Sequence, residues 1–205
     1  MDEERDWTYS EERTWHKLAL TVPAEVCRRT GACFDVHSGA YILNVFSASV
    51  TIHPTHREIR GTGDLCDLLL GKLSHFSCLS ILWYLAQAQV ISPSDNFINP
   101  RELAGGLIFD RGSHALPLDK LAAKYGGDTA AFLKKGISLG GVCSDYGDAS
   151  IKLCPFPRIP VLLVLWRKNE EFPANAVLLL DSACPCYLPT DIIWATAMLS
   201  VLVML

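Results

Sequence analysis

Two apolar runs joined by a charged turn constrain this chain more than any other feature. The segment Ile159–Trp166 reads IPVLLVLW after a proline-rich lead, 174–180 reads ANAVLLL, and between them stand Arg167-Lys168-Asn169-Glu170-Glu171. Strands that alternate polar and apolar residues are wet on one face, whereas near-continuous apolar runs belong to strands inside a sheet. The pair therefore reads as an interior hairpin.

The rest of the chain fits a single domain built around that hairpin. At 205 residues, 50% apolar and 20% charged, it is long enough for one real core and short for two domains. A helical spacing of Trp15, Leu18, Ala19, Val22 and Val26 predicts an amphipathic helix from Tyr9 to Arg29, kinked at Pro23 and stopped by Gly31. Strand formers at 41–46 and 48–52 predict a second hairpin, and 73–88 has the leucine content of a buried central helix. Segments 91–112 and 139–148 read as loop. Helices are expected at 117–125 and at 129–135, the second capped by Asp128 and ended by Gly136. A last helix begins near Thr190, whose hydroxyl is placed to cap it, with Asp191 in its first turn. The expected fold class is α+β, a single domain over 1–205 with a mainly antiparallel sheet and helices packed on it.

Charge and termini narrow the function classes. With 18 Lys+Arg against 22 Asp+Glu the formal charge is -4, which argues against affinity won by neutralising nucleic-acid phosphates. The acidic opening Met1-Asp2-Glu3-Glu4-Arg5-Asp6 is no secretory signal. The uncharged stretch 192–205 falls short of the roughly 20 residues a membrane span needs, so it reads as a core helix, with a partner-docking tail as its rival. Eight cysteines without an Asn-x-Ser/Thr sequon read as reduced thiols, and the expected location is cytoplasmic.

Short motifs in the second half carry a family likeness. They are Phe156-Pro157-Arg158-Ile159-Pro160, Trp166, Glu171-Phe172-Pro173-Ala174, Leu180-Asp181-Ser182-Ala183 and Leu188-Pro189-Thr190-Asp191. Upstream, Trp83-Tyr84-Leu85, Arg101-Glu102-Leu103-Ala104-Gly105-Gly106, Pro117-Leu118 and Gly126-Gly127-Asp128 join them. In these the chain resembles the domain-of-unknown-function 3786 family over most of 75–205. The resemblance implies an uncharacterised domain, found largely in anaerobic bacteria and archaea, with no catalytic residues to carry over. In some members a four-cysteine cluster module lies beside the domain, similar in arrangement to corrinoid iron–sulfur proteins, which implies a setting in corrinoid or iron–sulfur dependent one-carbon metabolism. This chain has no such compact motif.

Several constellations are candidates for chemistry, each with an ordinary alternative. Cys184-Pro185-Cys186, with Cys143 and Cys154, is the first place to look for a soft metal, yet the spacings are not those of a zinc site and buried thiols are the ordinary explanation. His53-Pro54-Thr55-His56 places two imidazoles in one loop, where they are either metal ligands awaiting a third or exposed turn residues. No role is assigned to His16, His37, His75 or His114. Glu171, Asp181 and Asp191 are expected near one edge of the sheet as a carboxylate set, the alternatives being a turn residue, an acceptor for strand-end backbone and a helix-start charge. Trp166 and Phe172 form an aromatic wall for a ligand or close the core. Gly61-Thr62-Gly63-Asp64-Leu65-Cys66 lacks the last glycine of a dinucleotide loop, and Walker, G-x-S-x-G and H-E-x-x-H motifs are absent.

The leading expectation is a non-catalytic binding or accessory domain whose contact surface combines Arg101, Glu102 and the rest of 101–106 with Trp166, Glu171 and Phe172. No cofactor is specified; the partner is an unidentified protein or small molecule, with neither nucleic acid nor a membrane span expected. One rival is a metal-dependent enzyme with Cys or His ligands and a carboxylate general base drawn from Glu171, Asp181 or Asp191. Another is a structural subunit whose C-terminal helix packs into a partner.

Overall fold

Helices α1 (Asp2–Leu20) and α2 (Pro23–Thr30) open the chain in a computed structural model that describes residues 2–90, 92–110 and 112–205. The expected kinked helix is thus two helices. Pro23 sits in the first turn of α2, where its missing N–H breaks no hydrogen bond, and Gly31 closes α2 as expected.

Four strands follow in sequence order, β1 (Cys33–Asp35), β2 (Ala40–Val45), β3 (Ala48–His53) and β4 (Glu58–Gly61), forming an antiparallel meander. Tyr41, Leu43, Val45, Val50 and Ile52 point to the core, while Ile42, Asn44 and Ser49 are exposed, the alternation of a sheet wet on one side. A short α3 (Asp64–Asp67) and a wide turn over Leu68–Lys72 bend through 96° into the buried α4 (Ser74–Gln87). No single helix among the described residues is long and apolar enough to cross a membrane.

The second sheet runs β5-β9-β8-β7-β6, all antiparallel. Its strands are β5 (Phe97–Ile98), β6 (Val142–Ser144), β7 (Ala149–Phe156), β8 (Ile159–Trp166) and β9 (Asn175–Asp181). Every residue of β8 from Ile159 to Leu165 is buried, odd and even alike, so both faces of the sheet are covered there. The expected interior hairpin is β8–β9. Helices α5 (Leu118–Tyr125) and α6 (Thr129–Ser138) pack on β9 and β7, and α4 packs against the closing helix α7 (Thr190–Leu202). Tyr84 of α4 stacks on Phe156 of β7 at 4.7 Å and donates its hydroxyl hydrogen to the Thr30 carbonyl at 2.7 Å, tying α2, α4 and the sheet together.

The α+β class holds, and four details differ from expectation. There are two sheets instead of one. The stretches read as loop contain β5 and β6, which are too short to show a period and exist by pairing with β9 and β7. Asp128 does cap α6, accepting from the Ala131 N–H at 2.9 Å, but Gly136 does not end it. A Cβ there would meet Ile151 Cγ1 at 2.5 Å, so the glycine lets the helix lie on β7. The Thr190 hydroxyl donates to the Ala104 carbonyl at 3.0 Å instead of capping α7, whose cap position is Pro189. That helix is core, with Ile192, Ile193 and 195–201 buried.

Candidate functional site

The β6–β7 and β8–β9 turns stand at the same end of the second sheet, because Ser144 pairs with Ser150, Ala149 with Leu165 and Trp166 with Asn175. Three aromatic side chains meet solvent there. Among the described residues, Tyr146, Trp166 and Phe172 are the exposed members of the Phe, Tyr and Trp set, at 54%, 40% and 65%. Aromatic side chains left in water forgo the burial that normally holds them inside, so their gathering at one end makes this the candidate site.

Local chemistry holds the two turns in shape. Asn169 Oδ1 accepts from the N–H groups of Phe172 at 2.7 Å and Glu171 at 3.0 Å, and Asn169 N–H donates to the Phe172 carbonyl at 3.0 Å. Asp148 Oδ2 accepts from Arg167 N–H at 2.7 Å, fastening one turn to the other. Gly147, at φ 58°, brings its backbone against the indole: a Cβ there would meet Trp166 Cε2 at 3.3 Å and Val164 Cγ1 at 2.7 Å. The result is an open groove of about 530 Å³ between Trp166 and Phe172, with Asp148, Arg167, Asn169 and Asn175 as its polar lining.

This groove does not stand alone. Pro173, Ala174 and Asn175 are shared with a second groove of about 480 Å³ along α5, and Leu118 links that to a third of about 390 Å³ beside Arg101. The structure thus relates Arg101 to Trp166 and Phe172 by a run of grooves along β9. Glu102 faces elsewhere, accepting from the Asn99 N–H at 2.9 Å as half of a capping box around Pro100–Glu102. A larger groove of about 1060 Å³ lies between α1 and α4, and four of its polar side chains pair with one another, Lys17 with Gln87 at 2.7 Å and Arg57 with Glu12 at 3.8 Å.

The carboxylate set is not assembled. Glu171 is exposed in the β8–β9 turn, whereas Asp181 ends β9, a strand about 20 Å long for its seven residues. Asp181 is buried and saturated: it accepts from Ser94 N–H and Oγ, Asp95 N–H and Ala183 N–H at 2.8–3.1 Å. Asp191 is exposed in the first turn of α7, where the helix dipole favours it.

The thiols are likewise dispersed. All eight cysteines are free; Cys184 is buried and Cys186 exposed in one tight turn, with Cys143 and Cys154 exposed on β6 and β7. Burial first, then the nearby charges of Asp181 and Cys186, push the Cys184 thiol up to about 12, so at neutral pH it is neither a nucleophile nor a ready metal ligand. No group of three or more His, Cys, Asp or Glu suited to a metal occurs among the described residues. His53 and His56 do approach each other, their rings 5.9 Å apart in the β3–β4 turn.

Sequence reasoning reached Trp166 and Phe172 and missed Tyr146, Gly147 and Asp148. The available signal was the Asp145-Tyr146-Gly147-Asp148 turn itself, an aromatic among turn formers.

Fold and site together define a two-sheet α+β domain with exposed aromatic side chains at one end of its buried hairpin. Within that class the chain belongs to the Domain of unknown function (DUF3786) family, whose model matches residues 22–202. The match reaches further upstream than the motifs of the second half. Comparison with curated proteins and with solved structures finds no match.

Proposed function

We propose that this chain is a non-catalytic binding or accessory domain of the cytoplasm, serving corrinoid or iron–sulfur dependent one-carbon metabolism, and that it docks its partner at the aromatic end of the second sheet. The observation that carries the reading is the convergence of Tyr146, Trp166 and Phe172, exposed together on two turns that hydrogen bonds hold in place. Rigid aromatic anchors supply large contact area at small entropic cost, which is why binding energy concentrates in such residues. The run of grooves toward Arg101 extends the surface along β9. Among the described residues Glu171, Asp181 and Asp191 stand apart and the Cys184 thiol is raised to about 12, which supports binding at the aromatic end over chemistry by these candidates. The metabolic setting rests on the family likeness alone.

Calorimetric titration of the full chain with hydroxocobalamin, and separately with a corrinoid iron–sulfur protein, tests the reading. Saturable heat with either, abolished by the pair W166A and F172A, is expected. No heat with either titrant, or binding indifferent to both substitutions, overturns it.

A further inference from the structure

The β3–β4 turn carries a feature that the aromatic end does not explain. His53 is the last residue of β3 and stands opposite Glu58, the first of β4. Pro54-Thr55-His56-Arg57 makes the turn, and Arg57 adopts φ 53°, a left-handed conformation that L side chains seldom take. With the chain reversed in this way, the His56 ring comes back to 5.9 Å from the His53 ring, the two planes inclined at 55°.

That separation has chemical meaning. An ion bonded at about 2.0–2.1 Å to one nitrogen of each imidazole lies roughly 3.2 Å from each ring centre, so two rings sharing it stand about 5–6.4 Å apart from tetrahedral to linear angles. The observed 5.9 Å falls inside the range. A third donor is at hand in Glu58, the residue that pairs with His53 across the turn. Its oxygen is turned to Arg60 Nε at 2.6 Å, so the three donors do not converge on one point. Both members of that ion pair are exposed, which makes it weak and easily exchanged for another cation.

We propose that His53 and His56, completed by rotation of Glu58, form a binding site for a divalent first-row transition ion. Two imidazoles and one carboxylate suit zinc, nickel or copper and not magnesium or calcium, which prefer all-oxygen shells. Water fills the remaining positions, since the turn is open to solvent. The ion would pin the hairpin turn, and it is independent of whatever the aromatic end binds.

The test is calorimetry of the full, chelator-treated chain with zinc chloride, alongside 1H–15N spectra of the histidine rings. Zinc is expected to shift the His53 and His56 ring signals. The single variants H53A and H56A should each weaken binding by at least about tenfold, and E58Q by a smaller factor. Magnesium chloride should give neither heat nor shifts. Because exposed thiols are themselves zinc-ligand types, the histidine variants decide the matter: zinc affinity unchanged in H53A and H56A, ring signals that do not move, or no zinc binding at all overturns the proposal. Melting curves of the variants without zinc confirm that a loss of binding is not a loss of fold.

Discussion

Asp181 receives Ser94 twice, from the backbone N–H at 3.1 Å and from the hydroxyl at 2.8 Å, so the carboxylate that ends β9 also anchors the segment leading into β5. Asp95 and Ala183 donate to it as well, both at 2.8 Å. A buried acid with both carboxylate oxygens accepting hydrogen bonds is a structural clamp. Asp181→Ala removes the shared acceptor of three backbone N–H groups and the Ser94 hydroxyl, all in part-buried bonds, and should cost about 2–4 kcal/mol in chemical denaturation. Asp181→Asn retains the oxygen that serves Ser94 and Ala183 and loses the bond from Asp95, so it should cost less than alanine. Equal losses in the two variants would contradict the clamp.

Gly136 supplies a prediction of opposite sign to helix propensity. In an exposed helix, Gly→Ala gains about 1 kcal/mol. Here the new methyl would stand 2.5 Å from Ile151 Cγ1, and α6 would have to lift from β7. Overpacking of that kind costs about 1–3 kcal/mol, so Gly136→Ala should melt at a lower temperature than the parent. A higher melting temperature would show that α6 moves freely on the sheet.

Alkaline pH should unfold the chain early. Burial, then Asp181 and Cys186, hold the Cys184 thiol at about 12 against an ordinary 9.0. Burial, then Cys27, hold Tyr41 at about 12 against 10.0, with Arg29 opposing. Between the ordinary and the raised values the unfolded chain binds fewer protons than the folded one, so stability falls as pH rises. The contribution is fully present below pH 9 and is lost progressively toward about 12. The urea midpoint should therefore drop steadily above about pH 9, toward about 12. Iodoacetamide near pH 8 should modify exposed Cys186 and spare Cys184. A flat midpoint, or rapid labelling of Cys184, would contradict the burial that sets both.

The hairpin β8–β9 was legible because its apolar runs are local and long; the same holds for β2–β3, α4 and the core character of α7. What escaped depends on partners distant in sequence. β7 contains Lys152, Cys154 and Pro155, which mask its strand pattern, and the register shift between Leu153 and Phe156 breaks its period. β5 is two residues long and exists because it pairs with Leu180 and Asp181.

The site divides in the same way. Trp166 and Phe172 flank one charged turn, so their proximity follows from the hairpin. Tyr146 joins them through the pairing of β7 with β8 and of β6 with β7, which no local spacing shows. The acids Glu171 and Asp181, ten residues apart in the chain, end at opposite ends of one strand. Helix and strand periods say which face a residue takes and not how far along an element its neighbours lie.

The measurement that bears most directly on the aromatic end is the binding of a corrinoid iron–sulfur protein to Phe172→Ala. Phe172 is 65% exposed, so its loss should leave stability within about 0.5 kcal/mol of the parent. If the ring anchors the partner, the same substitution should weaken calorimetric binding by roughly tenfold or more. An unchanged melting temperature with that loss of affinity is the predicted result; full affinity in Phe172→Ala, or no binding by the parent chain, would contradict the account.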